Sequence, residues 1–98
     1  MIVIRIRLKV EAQNKAEFVH FMEEEVARNH ALSGCLAYSL YEDVNVENSF
    51  LLYEEWQDRE TFNDYKESAE FALIMAKLSP LLAGKPDSAH FEAEIIGP

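Results

Sequence analysis

Apolar and polar residues alternate strictly at the start of the chain. Ile2, Ile4, Ile6, Leu8 and Val10 fall on one face of an extended segment, and Val3, Arg5, Arg7 and Lys9 on the other. That period of two is the signature of a strand with one buried face. The period then changes. Asn14 offers an N-cap with Glu17 three residues on, the spacing of a capping box. From there to about Leu32, Phe18, Val19, Phe21, Met22 and Val26 share one arc of a helix, which Ser33-Gly34 stops. Alternation returns over 35–42, where Leu36, Tyr38 and Leu40 oppose Cys35, Ala37, Ser39 and Tyr41. A polar loop follows, and the aromatic-rich segment 50–56 (FLLYEEW) reads as a third strand. Asp58 can cap a short helix reaching about Lys66. Ser68 can cap a second segment carrying Phe71, Ile74, Met75 and Leu78 on one stripe, interrupted at Pro80 and ended by Gly84. Residues 88–96 alternate once more, Phe91, Ala93 and Ile95 opposite Glu92 and Glu94.

Strand, helix, strand is thus written twice. With right-handed crossovers this predicts an α+β, ferredoxin-like βαββαβ sandwich. It is a four-stranded antiparallel sheet with its helices on one face, in one domain over 1–98. The other face must be either half-polar or covered. Val3, Tyr41 and Leu51, or their alternates on the opposite parity, need cover, and a 98-residue chain buries only about 65% of its unfolded surface. Both points favour a homodimer with the two sheets face to face.

Composition narrows the function classes. At 49% hydrophobic and 28% charged the chain is neither disordered nor a disulfide scaffold. Eighteen acids against nine bases give a net charge of −9, which repels nucleic acid and anionic membrane surfaces. The balance is uneven, since 42–70 holds ten acids against Arg59 and Lys66. The lone Cys35 reads as a buried inert thiol, allows no intrachain disulfide and suits a reducing, cytoplasmic setting. No Cys/His spacing suggests a metal site.

Candidate chemistry is sparse. His20 reads as a solvated helix residue and His90 as part of a polar sheet face. His30, at a helix C-terminus, serves as a cap or reaches a pocket. Glu25 and Asn29 fall inside the apolar arc of the first helix, so they either reach water at its rim or line a cavity. Arg5 and Arg7 share one strand face, and the third strand beside it brings Glu54 or Glu55 within reach of a structural ion pair. Trp56, Tyr65, Phe71 and Met75 are expected around one cavity between the second helical region and the sheet, with Asn29 and His30 at its rim.

The run Gly34-Cys35-Leu36-Ala37-Tyr38, the strand ending at Trp56, and Phe62, Ser68 and Phe71 together resemble the antibiotic biosynthesis monooxygenase domain family, over about residues 2–94. The resemblance implies a dimeric α+β barrel with a pocket between helices and sheet in each protomer. It implies oxidation of a small aromatic, phenolic or quinol-like compound by O₂ with no cofactor. The sequence departs from the family where many members carry histidines; here those positions are Tyr65 and Glu70. Tyr65 and Glu70 therefore become the candidate catalytic polar groups, with Trp56, Phe71, Met75, Asn29 and His30 around the substrate. Met75 stands where haem-degrading relatives place a ligand. The alternative is a non-catalytic small-molecule-binding protein, or an isomerase, on the same scaffold.

Overall fold

The computed structural model describes all of Met1–Pro98. In chain order the elements are β1 (Ile2–Lys9), α1 (Lys15–His30), β2 (Cys35–Glu42), β3 (Ser49–Trp56), α2 (Arg59–Lys66), α3 (Ala69–Leu78) and β4 (Asp87–Glu92). The four strands form one antiparallel sheet in the order β2-β3-β1-β4. This is the expected ferredoxin-like arrangement, with its helices on one face. Ile2, Ile4, Leu8, Tyr38, Phe50, Leu52 and Trp56 point from the sheet into a core closed by Phe18 and Met22 of α1, Phe62 and Tyr65 of α2, and Leu78 of α3. No helix is long and apolar enough to cross a membrane.

Two predicted caps form. Asp58 accepts from the Thr61 backbone N–H at 2.8 Å, and Ser68 Oγ accepts from that of Phe71 at 3.1 Å. Glu67 and Ser68 lie between the two helices. The capping box at Asn14 does not form. A 3₁₀ turn over Ala12–Asn14 leads directly into α1, so Asn14 already has helical backbone and its side chain caps nothing. Gly34 sits at φ +85°, and a Cβ there would come 2.3 Å from Thr61 Cγ2. Glycine thus allows the α1–β2 turn to close against the start of α2.

Three strand expectations change. The β2–β3 register slips between Cys35 and Ala37. This bulge puts two residues opposite one, so Leu36 is turned out to solvent while Cys35, half-buried, packs against the core. β4 is shorter than its alternation. Pairing with β1 runs from Arg7↔Asp87 to Ile2↔Glu92, followed by a last exchange between Met1 and Ala93, which leaves Ile95 and Ile96 exposed.

The ion pair between Arg5 or Arg7 and Glu54 or Glu55 does not form. Register decides this, because Ile4 pairs with Glu54 and Arg5 with Tyr53. Directly paired residues share a face, so Glu54 lies under the helices and the arginines lie on the opposite face. Arg5 instead approaches Asp87 at 4.0 Å, Arg7 makes no ion pair, and Glu55 accepts from the Tyr53 hydroxyl.

Candidate active site

The sheet and the α2–α3 pair enclose a cavity of about 240 Å³. Its walls are apolar: Ile4, Ile6, Leu8 and Leu52 from the sheet, Phe62 from α2, and Phe71, Ile74, Met75 and Leu78 from α3. Polar groups gather in two places. Glu54, Tyr38 and Tyr65 are buried, whereas Lys66, Ser88 and His90 are exposed.

Glu54 is the unusual residue. On β3 it occupies the same face as Phe50, Leu52 and Trp56, and it is only 3% exposed. Trp56 Nε1 donates to its Oε1 at 2.8 Å, and Oε2 has no protein partner. Burial raises its pKa from 4.5 to about 7, and the Trp56 hydrogen bond opposes that rise only in part. A carboxyl group poised near neutrality on an apolar cavity suits a general base.

Tyr65 stands beside it. Its ring stacks on Trp56 with centroids 4.6 Å apart and meets the Phe71 ring edge-on at 5.3 Å. Burial pushes its phenol up to about 12, the Tyr38 hydroxyl acting the other way as a donor to it and Glu54 adding to the rise. Burial, and then Glu54, push Tyr38 far above the ordinary phenol range. At neutral pH both are therefore protonated hydrogen-bond donors. Because Tyr38 spends its proton on Tyr65, the cavity offers one base, Glu54, and one free donor, Tyr65, which can take a proton from a bound hydroxyl group and stabilise the resulting anion.

The predicted site residues divide. Tyr65, Phe71 and Met75 line the cavity together. Trp56 lies behind it, 1% exposed, where it supports Tyr65 and holds Glu54. Glu70 does not reach the cavity; it sits half-exposed in the first turn of α3, 4.0 Å from Arg28. Asn29 is fully buried, not at a rim, and its Nδ2 donates to the Glu25 carbonyl at 2.8 Å. His30 lies outside the cavity, with Nε2 2.6 Å from the Tyr38 carbonyl, clipping the end of α1 to β2. Glu25 is buried as well, paired with Arg28 through Oε1 while Oε2 has no partner.

Glu54, Tyr38 and His90 are cavity residues that sequence reasoning did not place there. A signal existed for Glu54: it is the one acid in the alternating set Phe50, Leu52, Glu54, Trp56. His90 does belong to a polar sheet face, but pairing with Ile4 turns that face towards the helices, where its ring meets Phe62 edge-on at 5.2 Å. No group of three or more His, Cys, Asp or Glu side chains is arranged to hold a metal ion.

The family model described as antibiotic biosynthesis monooxygenase matches residues 1–77. The chain belongs to that family. It is 32% identical over 92 residues to "Putative monooxygenase YcnE" of Bacillus subtilis, covering 94% of this chain and 97% of that one. In structure it is similar to a putative antibiotic biosynthesis monooxygenase from Deinococcus radiodurans, with a TM-score of 0.92 and 20% identity over 100% and 98% of the two chains. It is also similar to a mutant of SnoaB, a cofactor-independent oxygenase from Streptomyces nogalater. There the TM-score is 0.86, with 20% identity over 99% and 96% of the chains. At these identities the structural likeness speaks for the fold alone.

Proposed function

We propose that the chain is a cofactor-independent monooxygenase acting on a small phenolic or quinol-like aromatic compound, with Glu54 as base. The observation that carries this reading is a buried carboxyl group on an apolar cavity, with Oε2 free, beside the Tyr38–Tyr65 phenol pair, where burial pushes its pKa up to about 7. Family membership and the name of the Bacillus relative support it.

The chemistry follows from the residues. Glu54 takes the substrate hydroxyl proton, and the aryloxide anion is rich enough in electrons to give one to O₂. Recombination of the two radicals adds oxygen to the ring. In the net reaction the phenol gains one atom of O₂ and loses two hydrogens, which leave with the other atom as water, and the product is a quinone. Tyr65 donates a hydrogen bond to the developing anion. Glu70 takes no part in this scheme.

The protein acts in the cytoplasm as a homodimer. The outer sheet face carries Val3, Leu51 and Tyr53 half-covered, with Tyr41 and Phe91 about half exposed. A second sheet laid against it removes that apolar surface from water. Sedimentation at micromolar concentration is expected to give twice the 11.3 kDa chain mass, and a monomer contradicts the pairing.

The test of activity is oxygen uptake with a panel of one- and two-ring phenols and quinols. Enzyme-dependent uptake is expected. Tyr65→Phe, which loses one anion donor and keeps the ring stack on Trp56, is expected to slow it by about a hundredfold. Compounds that bind the cavity with no uptake would replace the oxygenase reading by non-catalytic binding. Full activity in Tyr65→Phe would remove Tyr65 from the mechanism.

A further inference from the structure

The cavity has a second polar end that the proton-abstraction scheme leaves unused. Lys66 is the only Lys or Arg along its lining, and it makes no ion pair. Lys66 and His90 also border a shallow groove outside the cavity, shared with Arg59, Asn63 and Glu92, which places them at its mouth. The one acid bordering that groove, Glu92, is already engaged by Arg59 Nε at 2.6 Å. What distinguishes Lys66 from the other bases is its place: it shares the cavity lining with Ser88 and His90.

We propose that the cavity takes a hydroxyarene that carries a carboxylate. The hydroxyl group lies at Glu54, Tyr38 and Tyr65, and the carboxylate lies at the mouth on Lys66, with Ser88 and His90 as further hydrogen-bond partners. This rests on the cavity being the substrate site. Its volume sets the size. About 240 Å³ falls below the roughly 300–1,000 Å³ of sites for drug-sized ligands. That volume is ample for one or two fused rings. An anion at the mouth keeps its charge near water, where one charge-assisted hydrogen bond offsets its partial desolvation. An anion at the inner end would face the Glu54 carboxylate, so the charge also fixes which way round the molecule enters.

Calorimetric titration at low salt with 2-naphthol and 6-hydroxy-2-naphthoate separates the possibilities. The carboxylate compound is expected to bind about tenfold more tightly than 2-naphthol. Lys66→Met is expected to remove that advantage, Lys66→Arg to keep most of it, and 0.5 M salt to reduce it. Equal affinity for the two probes, or an advantage that survives Lys66→Met, overturns the carboxylate site while leaving the cavity in place. If neither probe binds, and neither shifts the resonances of Tyr65 and His90, the cavity reading fails and this inference fails with it.

Discussion

Glu54→Gln is expected to slow turnover by about 10²–10⁴ and to make the protein more stable at pH 8. Glutamine fills the same space and can still meet Trp56, but it cannot take a proton. Loss of a positioned general base costs about 10²–10⁴ in rate. The gain in stability comes from linkage. Burial raises the folded-state pKa of Glu54 from 4.5 to about 7. Between those values the folded state holds a proton that the unfolded state has released. The contribution of Glu54 is therefore complete below pH 4.5 and is lost as pH rises through 7. By pH 8 the wild type bears the cost of an ionised carboxylate in an apolar site, about 3 kcal/mol. The variant bears none. Denaturation curves of the two proteins should converge near pH 4 and separate as pH rises, with the variant higher by about 10 °C or more in Tm at pH 8. The depressed carboxyls of Glu42, Asp58 and Glu92 are common to both proteins and cancel. A variant no more stable than wild type at pH 8 would mean that Glu54 is not strained by its surroundings.

Trp56 gives the second large effect. Its ring is 1% exposed, stacks on Tyr65, packs against Phe62 with centroids 6.1 Å apart, and donates to Glu54. Trp56→Ala leaves a void of ring size and an unpaired carboxyl oxygen, with an expected loss of about 3–5 kcal/mol. Small domains have only about 5–15 kcal/mol in total. Trp56→Phe keeps most of the packing and removes only the donor. Because that hydrogen bond favours the charged carboxylate, its loss moves the Glu54 pKa above 7. The acid limb of the kcat/KM profile should then shift to higher pH in Trp56→Phe while the fold stays intact. An unmoved limb would separate Trp56 from the titrating group.

The order of elements was legible because two periods, near 2 and near 3.6, switch cleanly along the chain and glycine or capping residues mark the joints. Asp58 and Ser68 acted as caps because each precedes a helix in extended backbone, whereas Asn14 is already inside a helical turn. The bulge at Leu36 was not legible, since alternation alone cannot reveal a residue squeezed out of register. The site was half legible for a related reason. Tyr65, Phe71 and Met75 lie on helices whose buried stripe can be counted. Asn29 and His30 lie on a helix whose end is pinned to β2, away from the cavity. Strand adjacency alone puts Glu54 or Glu55 within reach of Arg5 and Arg7, but parity places Glu54 on the face opposite the arginines. One residue of register separates an exposed ion pair from a buried carboxyl group.

The most direct measurement is the titration of the Glu54 carboxyl itself, by carbon-detected NMR of protein labelled at glutamate δ-carbons, with Glu54→Gln to assign the resonance. A midpoint near pH 7 is expected, moved upward in Trp56→Phe. A midpoint near 4.5, the ordinary glutamate value, would contradict it.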